Sequence, residues 1–268
     1  VLSQNRLAVA TGITRQYRSD IEAGKVKPSE DLQQSLWEAL ERFNPDAPLE
    51  MLFDYVRIRF PTTDVQQVVE NILHLKLSYF LHEDYGFYSY SEHYALGDIF
   101  VLCSHELDKG VLVELKGRGC RQFESYLLAQ QRSWYEFFMD VLVAGGVMKR
   151  LDLAINDKTG ILNIPVLTEK CQQEECISVF RSFKSYRSGE LVRKEEKECM
   201  GNTLYIGSLQ SEVYFCIYEK DYEQYKKNDI PIEDAEVKNR FEIRLKNERA
   251  YYAVRDLLVY DNPEHTAF

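Results

Sequence analysis

Apolar residues recur at helical spacing through the first 43 positions and at alternate positions in several later segments. The chain therefore reads as two parts of different period. Leu7 and Ala10, then Ile13, Tyr17 and Ile21, then Leu32, Leu36, Ala39 and Leu40 mark three helical faces. Ser3 is placed to cap a helix over residues 4–10, which Gly12 ends. Residues 13–22 form the next helix, closed by Gly24, and Pro28 and Ser29 open a third. Asn44-Pro45-Asp46-Ala47-Pro48 follows as a linker, because two prolines in five residues stop a helix and stiffen the connection. The expected domains are 1–43, all helical, and 49–268, joined by 44–48.

Beyond the linker, residues 53–60 alternate, with Asp54, Val56, Ile58 and Phe60 assigned to one face. Residues 64–78 predict an amphipathic helix, and the aromatic, serine-containing stretch 85–94 a hairpin or loop. Residues 99–104 and 110–116 predict a strand pair around Asp108-Lys109-Gly110. Residues 121–144 read as one long helix burying Phe123, Tyr126, Leu127, Trp134, Phe137 and Phe138. A strand over 147–156, a turn and helix over 159–175 and a hairpin of 203–207 with 213–220 come next. A strand over 239–246 and a helix over 250–260 complete the order. The fold class is α+β: an all-α N-terminal part, then a mostly antiparallel sheet with helices on one face.

Composition narrows the function classes. Apolar residues make up 45% and charged residues 28% of the 268, an ordinary globular balance. The longest apolar run, near Phe137–Met148, is broken by Asp140, Gly145 and Gly146, so membrane insertion is not expected. No secretory leader is readable, and the six irregularly spaced cysteines contain no C-x-x-C pair, so reduced thiols and a cytoplasmic, bacterial setting are expected. A net charge of −10 argues against a uniformly basic nucleic-acid binder. Yet residues 1–28 hold five basic against two acidic residues, and 181–197 six against three, so the charge is polarised.

Residues 4–10, the turn at Gly12 and Ile13, and residues 14–21 have helix-turn-helix spacing. Thr14, Arg15, Gln16 and Arg18 are expected to project from the start of the second helix, where Arg and Gln suit guanine and adenine edges. A helical hairpin for protein docking is the plainer alternative. The string LSQNRLAVATGITRQY…IEAGK resembles the lambda-repressor-like, XRE-type helix-turn-helix family over residues 2–43. The resemblance implies DNA binding and a first helix ahead of residue 1. It departs from the family at Arg18, where an apolar residue is common.

Four later strands each have one apolar and one polar face. Val111, Val113 and Leu115 oppose Glu114 and Lys116; Leu151, Leu153 and Ile155 oppose Arg150, Asp152 and Asn156. Phe241, Ile243 and Leu245 oppose Arg240, Glu242, Arg244 and Lys246, while Val213, Phe215 and Ile217 oppose Tyr214, Cys216, Tyr218 and Lys220. With the apolar faces on the core side, Glu114, Asp152, Glu242, Tyr218 and Lys220 share the other. A solvated sheet face is the plain reading. Carboxylates are poor strand formers, however, and three such residues mid-strand suit Mg²⁺ or Mn²⁺ ligation beside a tyrosine nucleophile.

The strings LDLAIND, NTLYIGS…VYFCIYEKD and NRFEIRLKNERA resemble the replication-initiation-factor family. It includes rolling-circle initiators of staphylococcal plasmids and MobT-type relaxases of Gram-positive conjugative transposons. The fused helix-turn-helix looks most like the relaxase branch, and a C-terminal segment of the family is expected beyond Phe268. The resemblance implies nicking of one strand at an origin of transfer by metal-assisted tyrosine transesterification, leaving a 5′-phosphotyrosine and a free 3′-OH. It implies a divalent metal, Mg²⁺ or Mn²⁺, on Asp152, Glu242 and Glu114, with Asp54 a weaker fourth. Tyr218 is the expected nucleophile with Lys220 at the scissile phosphate; Tyr214 and Tyr222 are the competitors. Arg150, Arg240, Arg244 and Lys246 are expected backbone-phosphate contacts. The basic stretch 181–197, with Phe183 and Tyr186, is a candidate single-strand track. The implied partners are origin DNA, duplex and single-stranded, a second copy of the chain, and a coupling protein or helicase. The alternatives are a plasmid replication initiator and, in another class, a non-enzymatic helix-turn-helix transcription regulator.

Overall fold

The computed structural model describes residues 7, 11–42, 47–106, 108–189 and 199–259. The residues fall into two compact units: 1–47, 60–111 and 118–146 in one, and 48–59, 112–117 and 147–268 in the other. The stretch 49–268 contributes to both units, with 48–59 and 112–117 grouped with 147–268 rather than with their sequence neighbours. None of the described helices is long and apolar enough to cross a membrane.

The first unit opens with α1 (Arg15–Glu22) and α2 (Glu30–Arg42). Thr14 caps α1, its hydroxyl accepting from the Tyr17 N–H, and Ser29 Oγ accepts from Leu32 N. Except for Leu7, the expected helix at 4–10 lies outside the described residues. Then come α3 (Val65–Asn71), β2 (Leu81–Glu83), β3 (Glu92–Leu96), β4 (Ile99–Cys103), α4 (Arg118–Ala129) and α5 (Trp134–Val143). The helix expected over 64–78 is only α3 followed by a 3₁₀ turn at Leu77–Tyr79; His74, at φ 54°, turns the chain where α3 would otherwise continue. The single helix expected over 121–144 is two. Gln131 adopts φ 59°, and Ser133 restarts the chain in a capping box with Glu136, a stop and start that apolar spacing alone conceals. Phe123, Trp134, Phe137 and Phe138 still share a core, with ring centroids 4.7–5.9 Å apart. Each fully buried ring contributes roughly 1.5–3 kcal/mol.

The second unit is an antiparallel sheet flanked by helices. Its strands are β1 (Leu49–Phe60), β5 (Val111–Lys116), β6 (Val147–Asp157), β7 (Phe183–Gly189), β8 (Cys199–Ile206), β9 (Val213–Glu219) and β10 (Asn239–Lys246). They lie in the order β5-β1-β6-β10-β9-β8-β7. The helices are α6 (Ile164–Gln172), α7 (Lys220–Asn228) and α8 (Asn247–Val259). On the apolar face Ile164 of α6 packs with Leu204, Ile217, Ile206 and Phe241. The opposite face carries the polar set. Strand β7 falls within the basic stretch 181–197, whose residues 190–197 lie outside the described residues.

One correction concerns β1. Its register on β6 slips between Phe53 and Tyr55, so a bulge puts both Asp54 and Tyr55 on the polar face. Asp54 was expected among the apolar positions Val56, Ile58 and Phe60; instead its carboxylate accepts from Arg240 at 2.8 Å.

Asp157 ends β6 and is fully buried. Burial would raise its carboxyl, but the N–H groups of Leu162, Thr159 and Gly160 and the Asn239 amide hold it below the usual range. Asp157→Ala strands these donors and is expected to cost about 3 kcal/mol, read as a lowered melting temperature. Ser133→Ala, which removes only the capping box, is expected to cost about 1 kcal/mol in the same measurement.

Candidate active site

The register of the central strands builds the polar face. Arg244 stands opposite Asp152 of β6 and Tyr214 of β9; Arg240 stands opposite Asn156 and Tyr218; Glu242 stands between Ala154 and Cys216. Alternation then aims Glu242 and Tyr218 at one spot. The Tyr218 hydroxyl donates to Glu242 Oε1 at 2.9 Å, and Lys220 Nζ donates to the same hydroxyl at 3.4 Å. Lys220 is the first residue of α7 rather than the last of the strand, and it also bonds Glu223. Burial, reinforced by the Glu242 charge, pushes the Tyr218 hydroxyl well above the ordinary tyrosine range.

Glu114, Asp152 and Glu242 are each only 2% exposed. A buried carboxylate needs cations, and each has them. Arg244 holds Glu242 Oε2 at 2.6 and 2.9 Å and approaches Asp152 at 3.7 Å. Arg150 grips Asp152 through two bonds of 2.8 and 2.5 Å. Burial, with Glu242 nearby, still leaves the Asp152 carboxyl above the usual range. Glu114 accepts from Arg57 at 2.8 Å, from Lys116 at 2.7 Å and from the Tyr55 hydroxyl. Burial opposes these donors but is outweighed, so Glu114 sits below the usual range. The Arg150 guanidinium lies 4.0 Å from the centre of the Tyr55 ring.

The expected metal set does not assemble. Strand β1 stands between Glu114 and Asp152, and β1 and β6 stand between Glu114 and Glu242. Among the described residues the three carboxylates do not form one cluster of donor atoms. An Mg²⁺-type ion asks for several oxygens around one point, whereas these oxygens are already engaged by guanidinium and ammonium groups. Periodicity shows which face a residue takes, but not how many strands separate it from another.

The other expected residues divide. Tyr214 shares the Tyr218 face, buried beneath Lys246 and Arg244, whose charges lie 4.9 and 5.8 Å from its ring centre. Tyr222 lies in α7 with its Cβ against Gly201 of β8. Arg150, Arg240 and Arg244 form the cation layer, and Lys246 Nζ bonds the Leu209 carbonyl. Tyr186 of β7, half exposed, lies in register with Thr203 and so on the Tyr218 face, with Tyr205 between it and Tyr214. Phe183, two-thirds buried, takes the opposite face by alternation. At the N-terminus Thr14 and Gln16 are exposed, and the Arg15 side chain lies outside the described residues. Arg18 does not project as expected. It is 3% exposed, on the inward stripe with Ile21 three residues on, and reaches Glu22 at 3.5 Å. Sequence reasoning missed Tyr55 and Arg57, although alternation with the buried Val56 and Ile58 already puts them on this face; the β1 bulge adds Asp54 to them.

Comparison with known proteins agrees with this architecture. Residues 50–140 match the N-terminal domain of rolling circle replication initiation proteins, and residues 146–268 match the replication initiation factor family. A Bacillus subtilis (strain 168) protein, provisionally named DNA relaxase NicK, is 44% identical over 214 residues. That match takes in 80% of this chain and 60% of the relative, so the chain spans less than two thirds of that relative's length. The structure of a rolling circle replication initiator protein from Geobacillus stearothermophilus superposes with a TM-score of 0.65 at 28% identity, covering 79% of each chain. On the strength of these matches, residues 146–268 are similar to the replication initiation factor family and residues 50–140 to the rolling-circle initiator N-terminal domain.

Proposed function

We propose that this chain nicks one strand of DNA at an origin, with Tyr218 as the nucleophile. The observation that carries the reading is the Tyr218 hydroxyl bonded to the buried Glu242 carboxylate and flanked by Lys220, in a chain similar to this family. With its proton affinity raised, Tyr218 is a neutral phenol at neutral pH and needs a base in contact. Glu242 Oε1 takes the proton as the phenol oxygen attacks phosphorus. The P–O3′ bond breaks, the 3′ oxygen takes a proton from solvent, and a 5′-phosphotyrosine remains. Lys220 and the Arg240 and Arg244 guanidiniums lie within reach of Glu242 or Tyr218 and offset charge developing on the phosphoryl oxygens. No step is assigned to a metal, because the three carboxylates are not arranged around one ion.

The 44% relative, named a relaxase, favours origin-of-transfer nicking of a mobile element over plasmid replication. The half-exposed Tyr186 and exposed Lys184 of β7 are proposed contacts for the separated strand, by stacking and by charge. Duplex contact by Thr14, Arg15 and Gln16 of the N-terminal helices belongs to the same proposal, without Arg18. A second copy of the chain and a coupling protein or helicase remain its proposed partners.

The test is nicking of supercoiled plasmid carrying the cognate origin, with Mn²⁺ and with EDTA, together with trapping of the covalent adduct. Tyr218→Phe is expected to abolish nicking and adduct while origin binding persists; a variant that still forms the adduct would move the nucleophile to Tyr214 or Tyr222. Wild-type chain that binds the origin and never nicks would favour the regulator.

Glu242→Gln is expected to slow nicking by about 10²–10⁴-fold at neutral pH. Its residual rate depends on the phenolate fraction, so it should climb about tenfold per pH unit between pH 7 and 9, below the raised phenol value. The wild-type rate should change less over the same range. Glu114→Gln, with two strands between it and Glu242, should lower the melting temperature yet leave nicking per folded molecule within about threefold, since surrounding contacts that do not touch the reacting atoms act on stability first.

A further inference from the structure

A second constellation of ligating side chains lies in the first unit, on residues the nicking reading does not use. Strands β2, β3 and β4 pair antiparallel, with His82 opposite Tyr94 and Glu92 opposite Cys103. Alternation then puts His82, Glu92, Tyr94 and Cys103 on one face. Asp84 and His105 extend it, each two residues beyond a member of the set. The polar groups close up. His82 Nε2 lies 2.6 Å from Glu92 Oε2 and 3.9 Å from Asp84 Oδ1, and His105 Nε2 lies 4.0 Å from Glu92 Oε1. The donor atoms of His82, Asp84 and Glu92 all fall within 4.8 Å of one another.

We infer that His82, Asp84, Glu92 and His105 form a binding site for a divalent transition-metal ion of the zinc class. Two imidazoles and two carboxylates make a mixed nitrogen and oxygen donor set, neutral overall once a 2+ ion is bound. Mg²⁺ and Ca²⁺ prefer oxygen alone, whereas imidazole favours Zn²⁺ and its neighbours. Donors about 2.0–2.2 Å from a tetrahedral ion stand roughly 3.3 Å apart, so small side-chain rotations convert the present spacing into coordination.

The scaffold is already oriented. The His82 ring stacks on Tyr94 with centroids 4.6 Å apart, which fixes the direction of Nε2. The loop carrying Asp84 is tied down by His93 Nδ1, which donates to the Tyr85 carbonyl at 2.5 Å. Such supporting contacts preorganise metal ligands. Glu92 and His105 also line a cleft of about 400 Å³ with Thr63, Asp64, Gln66 and Ser104, which leaves room for a water ligand. The ion would fasten the β2–β3 hairpin to the segment that follows β4.

The test is calorimetric titration of Zn²⁺ into the full chain, stripped of metal with EDTA and then held in excess Mg²⁺ to occupy oxygen-only positions. The expected result is one equivalent of Zn²⁺ bound, weakened at least tenfold by His82→Ala, by His105→Ala and by Glu92→Gln. His82 and His105 are exposed and Glu92 is partly so, and unchanged circular dichroism would show the variants folded. Zn²⁺ should also raise the melting temperature of the wild type and not of His82→Ala. Cys171→Ser with Cys176→Ser removes another close pair of ligand-type residues and should leave the titration unchanged. Zinc affinity insensitive to the His82 and His105 substitutions, or lost with the cysteine pair instead, overturns the site.

Discussion

Three carboxylates on interior strands of one sheet face, almost without access to water, set the terms for the rest of the second unit. A carboxylate so placed is destabilising by several kcal/mol unless cations and hydrogen bonds surround it. The chain supplies them from the same strands. Arg150 stands two residues before Asp152, Arg244 two residues after Glu242, and Lys116 two residues after Glu114. Because strand alternation returns to the same face every second residue, each acid meets a base of its own strand. Neighbouring strands then join the pairs, Arg244 spanning Glu242 and Asp152, and Arg240 spanning Asp54 and Asn156. The result is a charged layer whose members hold one another in place.

That layer explains why Tyr218 is suited to its proposed task. A phenol bonded to an exposed carboxylate would share it with water. Here Arg244 fixes the Glu242 carboxylate, so the oxygen that accepts from Tyr218 has a defined position, and Lys220 approaches the phenol from the adjoining helix. The same cations that make the buried acids tolerable are those a phosphodiester would require. Around Glu242, stability and the proposed chemistry rest on the same ion pairs, so a substitution there acts on both unless its charge is conserved.

Much of this was legible in the sequence. The alternation of 240–246 gave β10 to the residue, and with 213–220 it put Glu242, Arg244 and Tyr218 on a common polar face. What alternation could not give was strand order. Glu114 has the same pattern as Asp152 yet lies beyond β1, so a set of three ligands inferred from a shared face failed as a cluster. Nor could it give the bulge at Asp54 and Tyr55, whose extra residue reverses the facing of the strand midway. The break at Gln131 and Ser133 was hidden because apolar positions on both sides continue to serve one core. At Arg18 a long polar side chain was read as an outward contact, and its position on the buried stripe of α1 decided otherwise.

The same layer bears on reversibility. In a phosphotyrosine intermediate the bond energy of the broken strand is kept, and rejoining runs the proton transfer backwards, with the 3′ hydroxyl as nucleophile and the tyrosine as leaving group. A group suited to both directions holds the proton without releasing it to solvent between the two steps. Glu242 is shielded from water and fixed by two guanidiniums, so a proton taken from Tyr218 has one nearby destination when the phenol oxygen is freed. Burial raises the proton affinity of Tyr218, so in the proposed role its bare phenolate would be a poor leaving group and closing the strand would call on return of that proton from Glu242. On the proposed reading, a single carboxylate in contact with the tyrosine therefore serves nicking as base and closure as acid, and the arginines that hold it in place would act in both directions.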